Sequence, residues 1–191
     1  EIGACDWSSD VCSSDLLLLP YLFYQATWNH GFVLDDQIVV TENDFTKKGF
    51  AGLWDILTTE SMTGYFGEQK NLIQGGRYRP LSIMTFAVEY AFTAQEYTDN
   101  KGNTFMAPHP GISHYLNILF YALCGLLIFR LFGGLLPLRK KQPWWLGIGF
   151  ITALVFIMHP VHVEAVANVK GRDEILTMLL SLCTLYFSLR H

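Results

Sequence analysis

The sequence predicts an all-α integral membrane protein, and three observations support this fold class. Hydrophobic residues make up 51% of the 191 residues, charged residues only 16%, and the mean hydropathy is +0.25. The apolar residues gather in long runs, whereas the charged residues cluster between these runs. Soluble domains carry about 25% charged residues, and long uncharged runs are typical of membrane helices. The net charge of -4 and the lack of a basic stripe indicate no nucleic-acid partner.

The first 16 residues need separate treatment. Residues 5–16, with the sequence CDWSSDVCSSDL, resemble the conceptual translation of a sequencing-library primer. We therefore interpret residues 1–16 as a sequencing artefact and exclude them from the fold prediction. Residue 1 is Glu rather than Met, and we expect residues 17–191 to be the N-terminal part of a longer membrane domain.

Four apolar runs predict membrane-spanning helices. They lie near residues 17–28, 114–136, 144–158 and 174–190. With their flanks, the later runs have about the length that crosses the hydrocarbon core of a bilayer. The first run is shorter, because we expect the artefact to have replaced its upstream half. Trp28 closes this run, as is common for Trp at a membrane–water boundary.

A long polar loop, residues 29–113, separates the first two runs. Within it, residues 53–57 (LWDIL) predict a short amphipathic helix. Pro80 suits the first turn of a helix over residues 80–93, whose apolar positions recur at helical spacing. Residues 99–111 contain Gly, Asn and Pro and predict a loop. The loop therefore carries amphipathic helices of its own.

A polar island, residues 159–174 with the sequence HPVHVEAVANVKGRDE, lies between the last two apolar runs. It contains two histidines, three acidic residues and two basic residues. Such groups cost free energy when they face lipid. The island therefore predicts a site that faces water or the protein interior.

The charge distribution predicts which side of the membrane each loop occupies. Residues 137–143 form a short loop with three basic residues, Arg139, Lys140 and Lys141. Short basic loops remain in the cytoplasm, so the third span carries the island to the outer side. The second span then begins outside, which places residues 29–113 there as well. Asp35 and Asp36 therefore share one face of the membrane with the island.

The adjacent acids Asp35 and Asp36 directly follow the first run. One of them can act as general base towards an alcohol, while the other orients a substrate or binds a divalent cation. The pair can equally cap a helix that follows the first span. The residues alone leave these alternatives open.

Part of the island is suited to metal ligation or to hydrogen bonding. His159, His162 and Glu164 carry standard metal-ligand groups. The HExxH pattern is absent, and Pro160 argues against a regular helix through His159. These features favour a hydrogen-bonding role over a zinc site.

Three cationic residues can bind a phosphate group. They are Arg79, Lys170 and Arg172, and an Arg side chain can hold a phosphate through two parallel hydrogen bonds. Lys170 and Arg172 can instead extend towards lipid headgroups at the start of the last span. Their location on the same membrane face as the acids favours a phosphate site.

Four segments resemble one family and occur in the order in which that family has them. They are FVLDDQIVV (32–40), YRPL (78–81), HYLNILFYALCGLLIF (114–129) and FITALVFIMHPVHVEAVANVKGRDEIL (150–176). They are similar to segments of the transmembrane and TPR-containing protein O-mannosyltransferases and their bacterial relatives. These enzymes are GT-C glycosyltransferases. The resemblance implies a GT-C-type multi-span helical bundle, of which this chain contains about four spans.

The resemblance also implies a function. The family transfers mannose from a polyprenyl-phosphate carrier to Ser or Thr of an acceptor protein, on the outer face of the membrane. It implies that Asp35 or Asp36 is the catalytic acid, with a divalent cation as a further expectation at this pair. The other motif positions fall on Arg79, His159, His162, Glu164 and Arg172. Residues 168–170 (NVK) resemble bacterial relatives more closely, which implies an inner membrane and a periplasmic site.

Two alternatives to a catalytic role remain. In the first, the chain is a non-catalytic membrane anchor for a tetratricopeptide-repeat protein that recruits partners. In the second, it is a transporter, which is disfavoured because the charged residues cluster at the ends of the spans. In the catalytic hypothesis we expect these 191 residues to be inactive without the remainder of the enzyme.

Overall fold

The computed structural model describes residues 7–33, 35–67, 78–98, 102, 104–136 and 144–190. Within them the chain is mostly helical, which confirms the all-α class. The helices are α1 (Trp7–Tyr24), α2 (Asp44–Lys47), α3 (Leu53–Thr58), α4 (Thr63–Phe66), α5 (Pro80–Thr93), α6 (Pro110–Leu135), α7 (Ile148–Met158), α8 (Val163–Ala167) and α9 (Arg172–Arg190). An antiparallel pair of strands, β1 (Gln95–Thr98) and β2 (Thr104–Ala107), lies between α5 and α6.

Helix α6 is the centre of a helical bundle and packs against α1, α7 and α9. It is apolar around most of its circumference, as expected of a helix that other helices or lipid surround. One stripe of its buried residues repeats every three or four positions: Ile118, Tyr121, Cys124, Ile128 and Leu131. This stripe meets buried residues of the neighbouring helices in one hydrophobic core.

The predicted second span corresponds to α6, which is long and apolar enough to cross a membrane. The predicted third span corresponds to α7, which is bent by 50° relative to residues 160–167 and adds a second crossing if the bent pair is one span. Pro160 explains the bend, because it cannot donate the hydrogen bond that would continue α7. Helix α9 covers the predicted fourth span, whereas α1 covers the predicted first span only as far as Tyr24 and a 3-10 turn, Gln25–Asn29, follows it. The four-span bundle stays a prediction.

The hydroxyl group of Tyr121 stabilises the bend at the end of α7. It donates to the carbonyl oxygens of Phe156 and Ile157, at 2.8 and 3.2 Å. The last carbonyl groups of a helix have no partner within the helix, and an apolar environment makes an unpaired carbonyl costly. A side chain of α6 therefore supplies hydrogen bonds that the interrupted helix cannot.

Helices α2 to α5 form a small layer beside the bundle. Pro80 occupies the first turn of α5, and α3 covers the predicted amphipathic segment, so both predictions are confirmed. Ile56, Ile83 and Ala87 form a small core in this layer. The loop predicted over residues 99–111 is wrong in part, since β2 lies within it and α6 already begins at Pro110. The basic loop over residues 137–143 lies outside the described residues.

A close approach between α6 and α7 generates a stability prediction. A Cβ atom at Gly149 would lie 2.7 Å from the Phe129 carbonyl oxygen and 2.8 Å from the Gly133 nitrogen. Because both atoms belong to the backbone, we expect Gly149→Ala to force the helices apart and to lower the free energy of unfolding by about 1–3 kcal/mol. Thermal unfolding of the full-length protein in detergent measures this change.

Gly134→Ala is the matched control for that experiment. Gly134 is also helical, and a Cβ atom there meets nothing within 4 Å. We expect its unfolding midpoint to stay constant or to rise slightly, since Ala is the better helix former. Equal midpoints for the two variants would contradict the close contact between α6 and α7.

Candidate functional site

The polar island folds into a compact series of short turns. A 3-10 turn, Pro160–His162, leads into α8, and a second turn, Val169–Gly171, leads into α9. The Asn168 side chain accepts a hydrogen bond from the Lys170 backbone N–H at 3.1 Å and thereby starts the second turn. Gly171 is required because a Cβ atom there would lie 2.2 Å from the Ala165 carbonyl oxygen. The island therefore doubles back on itself and exposes a concave polar face.

Lys170 joins the island to the acidic pair of the first loop. Its Nζ atom donates to Oδ2 of Asp35 at 2.6 Å, and its backbone N–H donates to Oδ1 of Asp36 at 2.8 Å. The sequence separates these residues by more than 130 positions, and packing brings them into direct contact. The structure thus places together the two polar groups that the predicted topology assigns to one membrane face.

Asp35 and Asp36 have different environments. The side chain of Asp35 is 55% exposed, whereas Asp36 is 0% exposed. Asp36 also accepts a hydrogen bond from the Val33 backbone N–H at 3.0 Å, which closes a tight turn. Burial raises the pKa of Asp36, and its two backbone hydrogen bonds act in the opposite direction. Asp36 therefore organises the loop, and Asp35 is the carboxylate that a substrate can reach.

A polar cavity of about 460 Å³ opens beside the Lys170–Asp35 pair. Six charged residues line it: Asp35, Arg79, Glu164, Lys170, Asp173 and Glu174. Arg79 forms an ion pair with Asp173, and their side chains are 47% and 12% exposed. The Lys170–Asp35 and Arg79–Asp173 ion pairs therefore each place a cation at the wall of the same cavity. Arg79, Glu164 and Lys170, three of the predicted site residues, therefore line the same cavity as Asp35.

Arg172 lies outside this cavity, which corrects the expectation that its side chain faces a ligand. It is 0% exposed, and its guanidinium group faces the interior between α5 and α6. Its partners are Asn117 Oδ1 at 2.7 Å, Thr85 Oγ1 at 3.0 Å, the Ser113 carbonyl oxygen at 2.8 Å and the Glu89 carboxylate. Arg172 therefore anchors the end of the island, because its donors are used within the protein.

The two histidines of the island differ in position. His162 lines a second, mainly apolar cavity of about 180 Å³ together with Tyr121 and Phe156. This cavity shares Ala165 and Glu174 with the polar one, so the two adjoin. The Nδ1 atom of His159 accepts a hydrogen bond from the Val161 backbone N–H at 3.2 Å, and His159 lines neither cavity. His159 therefore shapes the turn after α7.

The residues at the acidic pair do not fit a divalent cation in this arrangement. Asp36 directs its two carboxylate oxygens at backbone N–H groups, and the ammonium group of Lys170 lies against Asp35. Throughout the described ranges, no three His, Cys, Asp or Glu residues are grouped as metal ligands. The pair is a salt-bridged acid site in which Lys170 provides the positive charge.

Comparison with curated proteins identifies relatives of one kind. Human protein O-mannosyl-transferase TMTC1 is 28% identical over 161 residues, which cover 84% of this chain and 16% of that protein. Mouse protein O-mannosyl-transferase TMTC4 is 33% identical over 118 residues, 59% of this chain and 14% of that protein. Protein O-mannosyl-transferase F38B6.6 of Caenorhabditis elegans is 26% identical over 177 residues, 92% of this chain and 22% of that protein. All three are named as protein O-mannosyl-transferases, and the chain is similar in sequence to each of them.

This similarity confirms the family resemblance that the sequence motifs indicate. The chain spans only 14% to 22% of the length of these three relatives. No family model and no solved structure matches it.

The sequence does not predict three residues of the site region. Glu89 is an acidic residue on the buried side of α5, and Asn117 is a polar residue within the apolar helix α6. A lone polar residue in an apolar helix is a signal for a buried partner, but it does not identify that partner. Asp173 gives no local signal, because acids are common in the first turn of a helix.

The burial of Asp36 predicts how the two acids differ in their effect on stability. Its two carboxylate oxygens accept from Val33 and Lys170. In Asp36→Asn one of these N–H groups faces an amide NH2 group, and we expect the free energy of unfolding to fall by about 1–3 kcal/mol. Asp35→Asn changes a largely exposed acid and is expected to leave the unfolding midpoint nearly constant.

Thermal unfolding of the two full-length variants, side by side in detergent, tests this difference. A larger loss of stability in Asp35→Asn than in Asp36→Asn would contradict the assignment of Asp36 as the organising acid.

Proposed function

We propose that the chain is part of a membrane glycosyltransferase that moves a mannose-like sugar from a polyprenyl-phosphate carrier to a Ser or Thr hydroxyl of an acceptor protein. Homology to protein O-mannosyl-transferases supports the class of reaction. The observation that carries the proposal is the polar cavity, where the exposed carboxylate of Asp35 lies beside the cations of Lys170 and Arg79. Glycosyl transfer from a lipid phosphate needs a base for the acceptor and positive charge for the leaving group.

Asp35 serves as the general base in this mechanism. Its carboxylate takes the proton of the acceptor hydroxyl while the hydroxyl oxygen forms a bond to the anomeric carbon of the sugar. The bond between this carbon and the carrier phosphate breaks, and the phosphate leaves with the bonding electrons. Asp35 suits this role better than Asp36, because Asp36 is enclosed and both of its oxygens hold backbone N–H groups.

Lys170 and Arg79 hold the phosphate of the carrier. Each now contacts one carboxylate, Asp35 or Asp173, at the wall of the cavity. A Lys side chain has three N–H donors and an Arg side chain has five, so both keep donors for a phosphate oxygen. Charge-assisted hydrogen bonds of this kind stabilise the negative charge that the leaving phosphate gains.

The remaining lining residues suit the other parts of the carrier–sugar molecule. Glu164 and Glu174 are exposed in the polar cavity, and carboxylates accept hydrogen bonds from sugar hydroxyl groups. The apolar cavity lined by Tyr121, Phe156 and His162 adjoins the polar one. A phosphate in the polar cavity would therefore lie next to an apolar volume that a hydrocarbon chain can enter.

We place both cavities on the outer side of the membrane, which is the periplasmic side if the protein comes from a bacterial inner membrane. The basic loop over residues 137–143 supports this orientation through the distribution of charge in short loops. Helix α6 provides a candidate membrane crossing. In this orientation the site faces the compartment that contains secreted acceptor proteins. Lipid-linked sugars in the outer leaflet can reach the same site.

The role of Asp35 predicts a loss of activity without a loss of fold. We expect Asp35→Asn in the full-length protein to lower the rate of sugar transfer at least about 100-fold, because a positioned general base contributes about 10²–10⁴ in rate. The measurement is transfer of radiolabelled mannose from polyprenyl-phosphate mannose to an acceptor protein in membranes that contain the enzyme.

Asp44→Asn is the matched control, since the side chain of Asp44 is 78% exposed and pairs with Lys47 at 3.8 Å, away from the cavity. It should transfer sugar at the wild-type rate. Wild-type transfer by Asp35→Asn would reject the assigned base, whereas no transfer by the wild-type protein itself would favour a non-catalytic anchor.

The role of Lys170 predicts weaker use of the lipid donor. We expect Lys170→Met to lower kcat/KM for the lipid-linked sugar about tenfold to a hundredfold, because a hydrogen bond to a charged group contributes about 1.5–3 kcal/mol. Initial rates at varied donor concentration and saturating acceptor give this value.

Lys48→Met provides the comparison, since Lys48 forms a similar ion pair with Asp55 at 2.7 Å outside the cavity. Its kcat/KM should equal that of the wild type. An equal loss in both variants would show that removal of any such ion pair disturbs the enzyme and would contradict a specific role for Lys170.

A further inference from the structure

Asn117 lies behind the island and contacts it at two places. It belongs to α6, is 0% exposed and does not line the polar cavity. Its Nδ2 atom donates to the carbonyl oxygens of Asn168 and Val169, at 3.0 and 3.3 Å. Its Oδ1 atom accepts from Nε of Arg172 at 2.7 Å. One amide group therefore holds both ends of the segment 168–172.

Lys170 is the centre of that segment and points in the opposite direction, towards the cavity. Its backbone N–H reaches Asp36 and its Nζ atom reaches Asp35. The segment is thus fixed from behind by Asn117 and from the front by the two acids. Val169 belongs to a hydrophobic cluster with Phe86 and Val40, which holds the same segment from the side. Hydrophobic contacts are not directional, so this cluster does not set the orientation of Lys170.

We propose that Asn117 is a positioning residue for glycosyl transfer, which acts by fixing the backbone on either side of Lys170. The inference rests on the proposed function, since it assigns Lys170 to the active site. Loss of the amide removes one of the two hydrogen bonds that the Asn168 and Val169 carbonyl groups each accept, since the backbone N–H groups of Gly171 and Arg172 supply the other. It also leaves the Nε–H group of Arg172 without its partner, so the segment loses the side-chain contacts that set its position relative to α6. A displacement of about 1 Å of a group that contacts substrate can lower a rate by about 10²-fold.

A double-mutant cycle separates positioning from simple stabilisation. We expect Asn117→Ala to lower the transfer rate per folded full-length protein about tenfold to a hundredfold. In a Lys170→Met background the same substitution should lower the rate less than about twofold, because the group that it displaces is already absent. Equal losses in the two backgrounds would overturn the proposal and leave Asn117 a structural residue.

Asn43→Ala is the matched control in this cycle. Asn43 is also 0% exposed and uses both ends of its amide group, with donation to Ile38 and Ser61 and acceptance from Phe45 and Thr46. Within the described residues, none of the hydrogen bonds of the Asn43 side chain reaches the segment 168–172. Its effect should therefore be the same in the wild-type and Lys170→Met backgrounds.

If Asn117→Ala does not accumulate as folded protein, Asn117→Asp takes its place in the cycle. An aspartate keeps an acceptor for Arg172 Nε but cannot donate to the Asn168 and Val169 carbonyl oxygens. The same two outcomes decide the proposal with this variant, so a folding defect of the alanine variant does not prevent the test.

A second measurement does not depend on activity. The rate at which a water-soluble acylating reagent modifies Lys170, followed by mass spectrometry, should rise about fivefold in Asn117→Ala, the ratio that corresponds to one lost hydrogen bond. Asn43→Ala should leave that rate constant. If the wild-type protein transfers no sugar but Asn117→Ala still speeds modification of Lys170, the proposed function is rejected and the role of Asn117 in positioning Lys170 is kept. If Asn117→Ala leaves the modification rate of Lys170 unchanged, the positioning role is rejected.

Discussion

The buried guanidinium group of Arg172 is the interaction on which the arrangement of the site depends. Removal of such a charge from water costs several kcal/mol, and the cost is offset only when an opposite charge and hydrogen-bond acceptors surround it. Here α5 supplies Glu89, α6 supplies Asn117 and the Ser113 carbonyl oxygen, and the face of the Phe86 ring lies 4.2 Å away. Because these partners come from different elements, satisfying one charge fixes α5, α6 and the start of α9 relative to one another.

This fixed junction explains how distant parts of the chain form one site. Arg172 directly follows the turn that carries Lys170, and Val169 is buried against Phe86. The position of Lys170 is therefore determined by the interior of the protein as well as by its contact with Asp35. Loss of Glu89 or Arg172 alone would leave an unpaired charge in the interior, which is the costly way to break a buried ion pair. The cavity thus depends on a buried network whose members, Glu89, Asn117 and Arg172, do not line it.

The sequence predicts the parts of this structure that leave a local pattern. Helical spacing and Pro80 predict α5, a long apolar run predicts α6, and the charged residues of the island predict a site next to the acids of the first loop. The direction of each charged side chain leaves no such pattern. Arg172 at the start of a helix fits a lipid headgroup, a bound phosphate or a buried carboxylate equally well, and only the position of Glu89 on α5 decides. Asp35 and Asp36 are likewise equivalent in sequence until Val33 and Lys170 enclose one of them.

Lys170 shows why one cation can serve both halves of the proposed reaction. Its backbone is held by Asp36, so its side chain can turn within the cavity while the segment stays in place. Before transfer, its ammonium group holds the Asp35 carboxylate. During transfer, Asp35 gains the proton of the acceptor and loses its negative charge, while the leaving phosphate gains negative charge. The attraction on the ammonium group therefore moves from Asp35 to the phosphate as the reaction proceeds. In the proposed reaction, a positive charge that can contact both the base and the leaving group stabilises the developing charge most strongly when the bond to the phosphate breaks.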